Sequence, residues 1–470
     1  MKHRWITLTF ALFVIAGLAL AACGGAAPAQ TESESASSDE AAAPAEEEAA
    51  EPAQEAEAEA APAGVTLKLA RFFGDCDDTT AGVTDVSQAT TECEVIQILT
   101  NKFNAENDQG ITVERLGGAE WGTYYDALNT SFAGGEPPDV AVMHGSNLPD
   151  YTSRGLILPL GDRYEAAGID PNDWTAPAQG AITYDGQMYA VPFDLHANLF
   201  HVNVDLFKEA GLVDDDGSPI LPTSREEFFE QAQIMKETTG KDYFATDASQ
   251  FPIGVRILFS LVWQQGSDLI AADGTSGTVD TPEAAEALDF LNTLFTEGYA
   301  NPEFNYDASQ EAFLTGEAAI LHNGTWAVDQ YNREADFEYR AMDFPTLYSQ
   351  PAVWANSHMW TIPQQADESK YDAAMAFLKF LYDHVGDWSA GTGHLAPRAS
   401  VLSGEQLANV PQRDNYAETA NIAVLVPAIV NWQAVEDILK EEIEATWLTG
   451  KDQAQALSDA EQRINDQLAQ

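Results

Sequence analysis

Trp326 stands directly after a short polar turn, His322-Asn323-Gly324 and Thr325, that closes the apolar run Ala318–Leu321. A large amphipathic ring just past such a turn suits the rim of a cleft better than the filling of a core. His144, Ser146 and Asn147 follow another apolar run, Asp139–Met143. Loops after strand C-termini are where α/β clefts hold ligands. Flat aromatic faces pack on C–H surfaces, and planar polar groups exchange hydrogen bonds with hydroxyls. The chemistry these residues offer is noncovalent recognition, of a polyol or, in so acidic a chain, of a cation.

Motifs for covalent chemistry are missing. The chain has no G-x-G-x-x-G, no G-x-x-x-x-G-K-[ST] and no G-x-S-x-G. Asp214–Pro219 hints at a calcium loop, but the first ligand position falls on Leu212 and the twelfth on Thr223. No Cys/His spacing suggests zinc. We therefore expect no catalytic residue, no metal and no cofactor. A glycoside hydrolase stays open as an alternative, because it needs only two carboxylates at a set separation. A chain with 75 Asp and Glu supplies such pairs by chance.

The elements that must position these residues alternate. Val65–Phe73 and Ile111–Leu116 read as strands, and Asp139–Met143 as a strand buried on both faces. Helical spacing covers Val95–Asn107, Trp121–Phe132, Ser224–Thr239, Pro282–Tyr299, Gln310–Thr315, Lys370–Asp383, Val435–Trp447 and Asp452–Leu468. Strands alternating with helices predict an α/β fold. The 470 residues exceed one ordinary core and suggest two lobes. A net charge of −53 disfavours nucleic acid. It fits either a saline habitat or simply an acidic exported surface.

The N-terminus reads as an export signal over residues 1–22: Lys2 and Arg4, an apolar run from Ile6 to Leu20, then small residues. Leu20-Ala21-Ala22-Cys23 resembles a bacterial lipobox, which implies acylation of Cys23 and a lipid anchor in the membrane. Residues 23–64 then form a lipidated cysteine and an acidic Ala/Glu/Pro tether. Residues 24–64 hold eleven acids and no Lys or Arg, a composition expected to stay disordered and extended. With Cys23 so assigned, Cys76 and Cys93 remain as a pair. In an oxidising compartment they are expected to bond, two free thiols being the alternative.

Several segments then occur in a telling order: "FAGGEPPDVAVM", "YDGQMYAVPFDLHANLFHVNVDLFKEAGL", "FLTGEAAILHNGTWAV", "DAAMAFLKFLYD" and "GHLAPRAS". Together they resemble extracellular solute-binding proteins of ABC transporters, in the cluster that includes maltose-binding protein. The resemblance covers nearly all of 65–470. It implies a two-lobed periplasmic-binding-protein fold, with one lobe from 65–193 and 357–408 and the other from 194–356 and 409–470. Crossovers joined by a hinge would flank a cleft between the lobes. Trp326 and Trp432 lie where that family places stacking aromatics, and they would form one continuous face. Trp121 is a third aromatic candidate. Asp194 and His196 fall at the first crossover; His196 stands where maltose-binding protein has a carboxylate. The implied function is extracytoplasmic capture of a mono- or oligosaccharide by a lipid-anchored monomer, which hands it to the transmembrane subunits of an ABC permease. A cationic ligand such as a polyamine, with Asp194 as charge partner, is the alternative ligand class.

Overall fold

The computed structural model describes residues 64–117, 121–365 and 368–469. The export signal, Cys23 and all of the tether except Gly64 lie outside the described residues. Within them the strands are β1 (Val65–Ala70), β2 (Ile111–Arg115), β3 (Val140–His144), β4 (Thr183–Tyr184), β5 (Gln187–Met188), β6 (Ala190–Pro192), β7 (His196–Asn203), β8 (Asp242–Ala245), β9 (Ala318–Gly324), β10 (Tyr339–Asp343), β11 (Val353–Asn356), β12 (His358–Thr361) and β13 (Ala423–Leu425). Two sheets dominate. The first has the order β2-β1-β3-β12-β6. The second runs β13-β11-β7-β9-β8, with β10 also paired to β7.

Each sheet sits in its own core. Leu67, Leu69, Val140, Val142, Trp360 and Trp388 belong to one, and Leu199, Phe200, Ile320, Leu258, Phe259 and Leu439 to the other. β1 pairs in parallel with both β2 and β3, and helices cover the faces. A strand buried on both faces reads as a continuous apolar run, as Val140–Met143 does. The helices carry their signals in the expected places. Ser224 caps Arg225–Thr239 by accepting from Glu227 N, while Glu227 Oε2 accepts from Thr223 N at 2.8 Å. That helix ends at Gly240 with φ +72°, a left-handed conformation natural to glycine. Boundaries shift slightly elsewhere: the helix expected from Val95 begins at Glu92, capped by Thr91.

The chain leaves the first sheet between β6 and β7 and returns between β11 and β12. These two passages lie against each other. Phe193 N donates to His358 O at 2.8 Å, and Ser357 Oγ donates to Asp194 O at 2.6 Å. The ends of the two sheets therefore meet at Asp194 and Ser357.

Cys76 and Cys93 form the expected disulfide. Arg71, fully buried beside it, donates to Gly74 O at 2.8 Å and to Gln97 Oε1 at 2.9 Å. This ties the cysteine loop to β1 and to helix Glu92–Glu106.

Candidate functional site

Two adjoining cavities, of about 420 Å³ and 310 Å³, open where the sheets meet. Trp121, His144, His196 and Arg256 line both, so the two form one cleft. The larger part adds Phe72 and Phe73 after β1, Glu92, Phe251, Tyr306, Asp307, Trp326 and His358. The smaller part adds Tyr125, Ser146, Asn147, Trp354, Asn356, Trp432 and Glu436.

The walls come from both lobes. Trp121 and His144 stand on the first; Phe251, Arg256 and Trp326 stand on the second. Trp121 meets Phe251 edge to face across the cleft, with ring centroids 5.0 Å apart. Trp326 is half-buried, and its Nε1–H donates to Tyr306 Oη at 2.8 Å. Its ring folds back over its own chain: a Cβ on Gly324 would stand 2.0 Å from Trp326 Cζ3. The glycine in "HNGTW" thus makes room for the tryptophan.

Trp432 stands differently. It is 2 % exposed, belongs to the second core, packs 5.7 Å from the ring of Phe259 and lines the smaller cavity. The single face expected of Trp326 and Trp432 is not formed, because each lines a different part of the cleft. Arg256 lies between these parts, with its guanidinium carbon 5.6 Å from the Trp326 ring centroid and 4.2 Å from that of Trp354.

Asp194 is also placed otherwise than expected. It is fully buried beneath the cleft and lines neither cavity. Its carboxylate accepts from His196 Nδ1 at 3.0 Å, from His358 N at 3.0 Å and Nδ1 at 2.8 Å, and from Trp388 Nε1 at 2.9 Å. Burial alone would push this carboxyl up; His358, His394 and the hydrogen bonds outweigh it and hold it well below the usual range. Burial and the neighbouring His358 push the His196 imidazole down to about 3, despite its bond to Asp194. His196 is therefore a neutral ring hydrogen-bonded to a carboxylate, and the contact is no ion pair. His144 is likewise held well below its ordinary value by burial and by His358 and His196. His394, though buried, is raised by Asp194 and by Glu92, whose Oε1 lies 2.7 Å from its Nε2.

Ser146 and Asn147 are buried at the wall of the smaller cavity, and Ser146 Oγ accepts from Asn356 Nδ2 at 3.0 Å. Of the side chains expected at the site, His144, His196, Trp121, Trp326, Ser146, Asn147 and Trp432 line the cleft, while Asp194 stands behind them.

The model of the bacterial extracellular solute-binding protein family matches residues 99–415. The chain belongs to that family. As a solute-binding protein it is 23% identical over 364 residues to the diacetylchitobiose-binding protein DasA of Streptomyces coelicolor, covering 75% of this chain and 82% of DasA. It is 23% identical over 407 residues to the sn-glycerol-3-phosphate-binding periplasmic protein UgpB of Escherichia coli, covering 79% of this chain and 89% of UgpB. Among solved structures, UgpB of Mycobacterium tuberculosis in complex with glycerophosphocholine superposes with a TM-score of 0.73 at 20% identity, over 87% of this chain and 99% of that one. Maltose-bound MalE3 of T. maritima gives 0.72 at 18% identity, over 86% and 100%. These likenesses show a two-lobed binding-protein fold with an interlobe cleft.

Sequence reasoning about this solute-binding protein missed Arg256, His358, Tyr306 and Trp354. Arg256 sits in a helix, Ile253–Gln264, buried at every position, so no apolar stripe marks the one charged residue as special. His358 opens β12 one residue after the return passage, the counterpart of His196 at the outward one. That symmetry was a signal available in the order of segments.

Proposed function

We propose that this protein binds a mono- or oligosaccharide between its lobes, outside the cytoplasm, and passes it unchanged to the membrane subunits of an ABC importer. Lobe boundaries at 193/194, 356/357 and 408/409, a monomeric body and a lipid on Cys23 complete the reading. The observation that carries it is the cleft itself. Trp121, Trp326, Phe72 and Phe251 supply aromatic faces from both lobes, with the planar polar groups of His144, His196 and Asn356 between them. That is the mixture a sugar needs. DasA is named for diacetylchitobiose, and MalE3 was solved with maltose; both ligands are sugars. The reading has no catalytic step, so the ligand leaves as it entered.

A second reading concerns charge on the ligand. Arg256 is 8 % exposed, faces both cavities and forms no ion pair among the described residues; its Nε finds no hydrogen-bond partner. A buried guanidinium left open toward a cleft favours a phosphate or carboxylate on the ligand. The ligand named for UgpB, sn-glycerol 3-phosphate, has such a group. The polyamine alternative loses its charge partner, since Asp194 is enclosed by His196, His358 and Trp388.

Thermal-shift screening of neutral sugars, sugar phosphates, uronic acids and polyamines tests both readings. A ligand stabilises the folded chain by RT ln(1 + [L]/Kd) and so raises its melting temperature. Shifts confined to carbohydrates support the proposal, and stronger shifts with acidic carbohydrates support the second reading. A shift with polyamines and none with any carbohydrate refutes both.

A further inference from the structure

We propose that His144, His196 and His358 form a binding site for one late first-row divalent ion, such as Zn(II), Ni(II) or Cu(II), at the floor of the cleft. One ring nitrogen from each lies within 4.8 Å of the others. All three side chains line the larger cavity. The backbone fixes their positions: His144 ends β3, His358 opens β12 as its register partner, and His196 opens β7 in the other sheet. The ring centroids of His196 and His358 are 4.2 Å apart, and those of His144 and His358 are 4.8 Å apart.

The Nδ1 atom of every ring is already engaged. Those of His196 and His358 contact the two oxygens of Asp194 at 3.0 and 2.8 Å, and that of His144 contacts Tyr125 Oη at 2.7 Å. Where Nδ1–H donates to the Asp194 carboxylate, as for His196 and His358, Nε2 of the neutral ring carries the lone pair; His144 offers Nε2 in the same way in the tautomer that donates Nδ1–H to Tyr125 Oη. Among the described residues no hydrogen-bond partner is seen for Nε2 of any of the three. Metal-ligating histidines almost always show this arrangement, the far nitrogen held by a carboxylate or another oxygen that fixes ring and tautomer. Imidazole sets suit Zn, Ni and Cu, whereas Ca and Mg need oxygen ligands. Three imidazoles about an ion at roughly 2.0–2.1 Å leave a coordination position open. Here that position faces the cavity, where a hydroxyl or carboxylate of a bound ligand completes the shell. Tetrahedral geometry sets the ring nitrogens about 3.4 Å from one another, inside the 4.8 Å within which they stand here. An ion so held would also join the two sheets beside the passages between them.

The proposal needs the cavity but not its occupation by a sugar. The test uses the full chain stripped with EDTA, titrated with Zn(II) alone in excess Mg(II), so that surface carboxylates are occupied by a hard cation. Co(II) absorption provides a second readout of imidazole ligation. The expected result is one Zn(II) per chain. His196→Ala and His358→Ala should each weaken it by about 100-fold or more, and Tyr125→Phe by about 10-fold, as for groups that orient metal ligands. His144→Ala, at a half-buried position, serves if the buried variants fail to fold. Absence of a Zn(II) site in excess Mg(II), or wild-type affinity in a histidine variant with native melting, overturns the proposal. Carbohydrate titrations of the EDTA-stripped protein keep the two claims apart. Sugar binding without Zn(II) binding removes only the metal site, and Zn(II) binding without sugar binding removes only the sugar.

Discussion

The guanidinium carbon of Arg256 lies 4.2 Å from the ring centroid of Trp354, within cation–π range, while no carboxylate of the described residues pairs with it. A buried cation without its counter-ion costs stability, because removing it from water is repaid only in part by a ring. Burial lowers the basicity of Arg256; Glu436, Tyr306 and Asp247 only partly offset this. An arginine kept under such terms is suited to a ligand oxygen.

Arg256→Gln should therefore weaken binding of the cognate ligand by about 1.5–3 kcal/mol, the value of a hydrogen bond to a charged group. Ligand-free melting should stay level or rise. Calorimetric titration paired with melting checks this; native affinity in the variant removes Arg256 from recognition.

The tryptophans should separate by burial. Trp432→Ala should cost about 3–5 kcal/mol of stability, as large-to-small changes in cores do. Trp326→Ala should weaken ligand binding by about 1–3 kcal/mol, by analogy with stacking on nucleobases, with a much smaller loss in melting. Equal losses of stability in the two variants would contradict the placement of Trp326 at the rim.

Glu436 should carry a pH dependence. Burial pushes its carboxyl from an ordinary 4.5 up to about 7, against the pull of Arg256. The folded chain thus holds this proton more tightly than the unfolded chain does. Stability is lost as pH rises from about 4.5 through 7, and the full loss is about 3 kcal/mol. Glu436→Gln should match the wild type in melting near pH 4.5 and exceed it at pH 8. A difference that does not change with pH would show that Glu436 does not titrate in this way.

The cysteine loop should matter to the cleft as well as to stability. Cys93 neighbours Glu92, which lines the larger cavity and faces His394. Closing a loop with a sequence separation of 17 residues is worth about 3 kcal/mol in the chain-entropy model. Replacing both cysteines by serine should lower melting accordingly and weaken ligand binding through Glu92. Unchanged affinity would confine the disulfide to a structural role.

How much of this was legible in the sequence depended on local pattern. Asp139–Met143 announced a buried strand, and Ser224 announced a helix start, because those signals act over a few residues. The helix Ile253–Gln264 hid Arg256, since burial on all sides erases the periodicity that marks a helix face. The depth of Asp194 and Trp432 was not legible: whether a polar or aromatic side chain reaches a cavity depends on partners far away in sequence, here His358 and Phe259. The three-histidine cluster draws on residues 144, 196 and 358, and no local spacing could have joined them.

The central claim is that the cleft holds a carbohydrate without altering it. Isothermal titration with the strongest carbohydrate from a thermal-shift screen, followed by recovery and chromatography of the ligand, tests it most directly. The account predicts one site per chain, an affinity reduced in Trp326→Ala, and a ligand recovered intact. No binding by any carbohydrate, or recovery of cleaved product, would contradict it.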